Sequence, residues 1–356
     1  MEYKIPEQFY FRIHHARPRF KNDVENVLIY VAENIAKLEP MSEADFAQRL
    51  NQAIYGYPGN AHKELKTINN WRTEISSLFG FVQHNDNDIA EAGRRAKELA
   101  EDGDLVAFFK TYLYSFQYPG AHIKSHAILE QIEHGIHFKP AQYILRLLTH
   151  IKEAEGANIG LTKGEICHCV FNDLRVTRDG EDVSLVWQRI KANRKNKLTY
   201  DMTGDVIRYA GDIVDYMEIA NLLKTWDSRT YYLNELETET IIKFIESKEW
   251  FSGYDRMIAN RSGSLDAINS VYFDWFAFVN RDMDTTDFKT DILAYIATDE
   301  QEYEALKNTG KEITDRIESE DEFTTKDIGD MGENLVHGHE CMRIKIGGRE
   351  DLIHLI

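Results

Sequence analysis

Lys63, Lys66, Asn70 and Thr73 recur at spacings of three and four, which puts them on one face of a helix. Ammonium groups suit phosphate oxygens, and a carboxamide or hydroxyl suits a base edge. Arg72, in the same segment, is expected among the DNA contacts with Lys63, Lys66 and Asn70; its place beside the apolar Trp71 leaves the rim of the core as the alternative. A merely solvated face is the alternative reading of these residues. Two basic clusters accompany it. Arg12, Arg17, Arg19 and Lys21 surround His14 and His15, and the three arginines are expected to wrap a phosphate backbone. Arg189, Lys191, Arg194, Lys195 and Lys197 lie in a stretch with no acid between Val183 and Tyr200. There Arg194, Lys195 and Lys197 are the expected phosphate contacts, with Arg208 further on.

Other constellations carry less chemistry. His337, His339 and Cys341, like Cys167 and Cys169, are spaced i, i+2, so on a helix their side chains do not converge on a metal. Small buried thiols are the commoner use of such cysteines. No phosphate loop, dinucleotide fingerprint or nucleophile elbow is present. Three cysteines in so long a chain read as reduced thiols of a cytoplasmic protein.

The net charge of −18 argues against a uniformly basic nucleic-acid binder. Half of that excess lies after residue 298, so 1–298 carries only −9, and local basic clusters can still meet phosphates. No apolar run reaches about 18 residues, so no membrane-spanning helix or membrane partner is expected. The first residues lack the apolar core of a signal peptide.

The elements that must hold these residues follow from periodicity. Val24, Val27, Leu28, Val31, Ile35 and Leu38 predict an amphipathic helix. Ser42 caps a second helix containing Phe46 and Leu50. A third spans about 62–79, with Leu65, Ile68, Trp71, Ile75 and Leu78 inside. Gly80, a short strand 81–84 and the polar turn 85–88 follow. Three helices, a strand and a polar turn are the order of a winged helix. The pattern recurs loosely. Pro140 starts a helix, Thr162 and Glu165 form a capping box, and the basic helix covers 186–197. A helix from 202 to 223 is expected to expose Asp205, Asp212, Asp215 and Glu218, ahead of a hairpin turning at Asp227-Ser228. Phe273, Trp275, Phe276 and Phe278 predict an aromatic core cluster.

The expected fold is mainly α (α+β), with tandem winged-helix-like modules. Its parts are an extended arm 1–20, a first module 21–137, a second module 138–238, a helical region 239–298 and an acidic connector 299–326. The segment 327–356 ends in the apolar run Leu352-Ile353-His354-Leu355-Ile356. It reads as the start of a further domain, so the chain is expected to be the front of something longer.

Several stretches resemble the AlwI-type restriction endonucleases and the related nicking endonucleases. They are GFVQHNDNDIAEAGRRAKEL from Gly80, FFKTYLYSFQYPGAHIK from Phe108 with its Gln117-Tyr118-Pro119, and FKPAQYILRLLTHIKEAEGANIGLTKGEICHCVF from Phe138. The arm segment Phe11–Pro18 resembles the family's opening. The likeness covers roughly 8–250. It implies an N-terminal half that recognises a short duplex DNA sequence and a C-terminal PD-(D/E)xK nuclease that binds Mg²⁺, in a bacterial or archaeal cytoplasm. Gly332–Val336 and Glu340 then look like the opening helix of that nuclease. Glu333 would be a supporting residue only, because two carboxylates must hold Mg²⁺ and a lysine usually orients the water. The strands that supply these in relatives have no match here, so this chain is expected to bind without cleaving. Cutting both strands would call for dimerisation or a second subunit. A module for protein contacts or transcriptional regulation, without nuclease activity, is the competing reading.

Overall fold

The computed structural model describes residues 1–318, apart from 16, 17, 19, 61–63, 86, 228, 292, 294–296 and 298. The expectations for Arg17, Arg19, Lys63, Glu333, Glu340 and the whole segment 327–356 lie outside the described residues. The chain divides into two compact units, Met1–Leu233 with Thr240–Lys289, and Asn234–Glu239 with Thr290–Ile356. The first is mainly helical with two three-stranded antiparallel sheets. It gathers the arm, both expected modules and most of the helical region into one body.

Each sheet is assembled the same way. Helix α1 (Val24–Ile35) buries Val24, Val27, Leu28, Val31 and Ile35. Strand β1 (Met41–Ser42) leads into α2 (Glu43–Gly56), where the Ser42 hydroxyl accepts the Asp45 N–H at 3.1 Å. Helix α3 (Leu65–Thr73) runs on through a π-helical turn, Glu74–Leu78. Gly80, at φ +72, then redirects the chain into β2 (Val82–His84) and β3 (Ile89–Ala92). Strand β3 is central: Met41 pairs with Ala90 and Val82 with Ala92. Asn85 shapes the turn by accepting the N–H groups of Asn87 and Ile89. A side chain at Gly93 would come within 2.6 Å of the Gly80 carbonyl, so that crossing needs glycine.

Helices α4 (Arg94–Asp102), α5 (Leu105–Ser115) and α6 (Ser125–Glu133) connect to the second assembly. Helix α7 (Pro140–Glu155) starts with proline in its first turn and precedes β4 (Leu161–Thr162) and α8 (Lys163–Ile166), joined by the complete Thr162–Glu165 capping box. Two helices are interposed, α9 (Leu174–Thr177) and α10 (Val183–Lys195), before α11 (Gly204–Ile219). Strands β5 (Leu223–Lys224) and β6 (Thr230–Leu233) close the sheet with β6 central, Leu161 opposite Tyr231 and Lys224 opposite Tyr232. Helices α12 (Thr238–Glu246), α13 (Asp255–Asn260), α14 (Leu265–Ser270) and α15 (Tyr272–Asn280) follow. Trp275 and Phe276 are buried as expected, while Phe273 and Phe278 are only half-buried. In the second unit, α16 (Glu300–Glu318) covers most of the expected acidic connector, and the Tyr303 hydroxyl donates to Asp291 at 3.0 Å.

Two packing expectations are corrected. Leu65 does not join the buried stripe: it opens α3 and is 70% exposed, while Ile68, Trp71, Ile75 and Leu78 are buried. Asp212 is buried rather than exposed, and Asp215 is half-buried in an ion pair with Lys163 at 2.8 Å. Of the four acids expected on the surface of α11, Asp205 and Glu218 are exposed.

Candidate nucleic-acid interface

The outward face of α3 is the least committed polar surface that the sequence singled out. Lys66 is exposed and Arg72 half-buried, and neither makes a side-chain hydrogen bond or ion pair among the described residues. Both cations are therefore available to an incoming anion. The N-cap residue Glu64 makes no side-chain cap hydrogen bond at the helix start. Thr73 turns its hydroxyl back to the Asn69 carbonyl at 3.0 Å, a local bond that withdraws it from an outside ligand. Asn70 is half-buried, and its amide nitrogen is shielded from solvent without a hydrogen-bond partner. Its amide reaches a base edge only after a rotamer change.

The arm is positioned by strand-like alternation. Phe11, Ile13 and His15 are buried, and Arg12 points outward. The Phe11 N–H donates to the Asn172 carbonyl at 3.1 Å, and its ring stacks on His134. His15 Nδ1 lies 2.9 Å from the Tyr118 hydroxyl. His14 is half-buried against Tyr209, and burial together with the neighbouring Arg12 guanidinium lowers its pKa. The arm's positive charge thus comes from its arginines rather than from His14. The Gln117-Tyr118-Pro119 patch anchors the arm's seat. Gln117 accepts the Phe251 N–H at 2.7 Å and donates to its carbonyl at 3.2 Å.

The basic helix α10 is largely spoken for. Arg194 donates to both carboxylate oxygens of the buried Glu165, at 2.6 and 2.8 Å, and to the Gly160 carbonyl at 2.8 Å. This fork matches guanidinium to carboxylate and raises the pKa of Arg194, so the side chain is not free for a phosphate. Arg189 pairs with Glu181, and Lys191 with Glu155 at 2.8 Å. Lys195 and Lys197 are exposed and make no ion pair among the described residues. Arg208 is exposed, 3.5 Å from an equally exposed Asp205, a contact of little energy.

Cys167 and Cys169 lie in the core, and burial pushes the Cys169 thiol up to about 12, so neither behaves as a thiolate ligand. Among the described residues no cluster of three or more His, Cys, Asp or Glu is placed to hold a metal ion.

Two of the exposed apolar side chains bear on the site and were missed by sequence reasoning. One is Leu65, whose place as the first helical residue lets it escape the stripe. The other is Trp226, 61% exposed at the tip of the β5–β6 hairpin. A large aromatic residue beside a turn signal was the available clue.

The pair of three-stranded sheets, each carrying helices, lies within the part of the chain that a restriction-endonuclease family covers. The family described as "Restriction endonuclease BpuJI - N terminal" matches residues 3–276, and the chain belongs to it. The chain is also similar, at 25% identity and a TM-score of 0.67, to the protein in "Crystal structure of pyrene- and phenanthrene-modified DNA in complex with the BpuJ1 endonuclease binding domain". That likeness covers 78% of this chain and 100% of that one. No curated protein matches the chain.

Proposed function

We propose that this chain recognises a short sequence in double-stranded DNA as part of a type II restriction endonuclease. The observation that carries this reading is the polar surface of α3, where Lys66 on the outward face and Arg72 on its flank make no ion pair among the described residues. The order of elements, α1, β1, α2, α3, β2 and β3, supports a winged-helix reading, in which the third helix enters the major groove. The similar endonuclease binding domain was crystallised in complex with modified DNA, which supports the same ligand class. Lys66 and Arg72 take phosphates or base edges, and Arg12 with Arg17 and Arg19 follows the backbone. Lys195, Lys197 and Arg208 are peripheral phosphate contacts. Within restriction endonucleases, the AlwI-type likeness of the Gly80, Phe108 and Phe138 stretches is the finer placement.

Gel shifts on duplexes of varied sequence test this. Expected are a sequence preference and an affinity that falls steeply with salt. No binding at low salt would leave the protein-interaction reading in its place.

For cleavage, the same reading assigns Mg²⁺ to carboxylates outside the described residues, with Glu333 in a supporting role. Incubation with supercoiled plasmid and Mg²⁺ is expected to leave the plasmid intact. Nicking that disappears in E333A would overturn that assignment.

A further inference from the structure

Helix α11, which precedes the hairpin of the second assembly as α3 precedes that of the first, is not free to read DNA along its middle. From Ala210 to Met217 only Asp215 escapes full burial, so the exposed Arg208 and Glu218 flank a buried stretch of α11. What this assembly does present is the hairpin tip. The Asp227 carboxylate accepts the N–H groups of Arg229 and Thr230, each at 2.8 Å. The Arg229 carbonyl accepts the Lys163 N–H at 3.1 Å. The tip is therefore held on both sides, and its one acid is turned onto its own backbone.

On this fixed turn stands Trp226, the one exposed tryptophan among the described residues. Its ring meets Tyr232 edge-on at 5.0 Å. Tyr231 and Leu233 point inward, so Tyr232 belongs to the outer face of the sheet. Arg229 is exposed and makes no side-chain bond among the described residues. An indole and a phenol ledge, with an exposed guanidinium three residues along the same turn, offers an apolar surface for a sugar and a donor for its phosphate.

We propose that the Trp226–Tyr232 ledge with Arg229 grips the sugar–phosphate edge of duplex DNA, giving the second assembly a sequence-independent hold. This rests on the DNA reading above. Tryptophan and arginine also favour protein interfaces, so the experiment separates the two partners.

The test is iodide quenching of tryptophan fluorescence in the full chain, with and without a random-sequence duplex, beside gel shifts. Expected is protection of the signal that W226F removes. W226A weakens binding by about tenfold on every sequence, while W226F, which keeps an aromatic body, retains most of it. R229A lowers the salt slope by about 1. If the duplex binds but the signal stays open to iodide and W226A binds like the parent, the ledge proposal falls and the α3 reading stands. If no duplex binds, both fall. Shielding of Trp226 by rising protein concentration alone would replace DNA with a second copy of the chain.

Discussion

Helices α3 and α11 occupy the same place in two similarly ordered assemblies, yet they are built for opposite work. Helix α3 buries Ile68 and Trp71 and leaves Leu65 and Lys66 to solvent. Helix α11 buries Ala210, Ile213, Val214, Tyr216 and Met217 and ties Asp215 to Lys163 and Tyr231. A helix in a DNA groove must keep a free polar face. A helix enclosed by its neighbours contributes stability instead. Equal position in the element order therefore does not confer equal function, and burial decides which helix can read.

The largest expected consequence falls on α11. I213A removes a fully buried side chain and should cost about 3 kcal/mol in chemical denaturation, with the affinity of the folded fraction for DNA unchanged. A large affinity change at preserved stability would place α11 in the interface after all.

The seat of the arm should show its own pH dependence. His122 is buried against Phe116, Tyr118, Trp275 and His15, with neither ring nitrogen bonded, and burial lowers its pKa to about 3. Folded protein thus binds fewer protons than unfolded protein between pH 6.5 and about 3. The His122 contribution is fully present above pH 6.5 and declines as the pH falls through that window. At pH 5 the loss is of order 2 kcal/mol. Denaturation midpoints across this range should fall in the parent and flatten in H122L. An equal slope in both would assign the effect to other groups.

Arg194 distinguishes a structural cation from a ligand-facing one. R194A leaves Glu165 buried without its strongest partner and should cost about 1–2 kcal/mol of stability, while the salt slope of DNA binding stays put. A slope reduced by about 1 at parental stability would return Arg194 to the phosphate contacts.

Much of this was legible in the sequence, because local rules govern it. The stripe of α1, the Ser42 cap, the Thr162–Glu165 box and the turn at Asp227 each depend on neighbours within a few residues. The failures involve partners far away in the chain. The acid-free run 183–200 looked like a set of solvated cations, but Glu155, Glu165 and Glu181 come from other segments to pair with it. One-face periodicity also cannot show that α11 is covered on further faces, by α5, α7 and α8. Leu65 fits the apolar spacing, yet sits at a helix end beyond the reach of the core.

The most direct test of the central claim is a salt titration of duplex binding by the parent and by K66A/R72A. Neither side chain takes part in an ion pair among the described residues, so stability should hold. In K66A/R72A the slope of log affinity against log salt should shrink by about 2, with affinity down by about tenfold or more. An unchanged slope and affinity in the folded double variant would contradict the assignment of α3 as the DNA-reading helix.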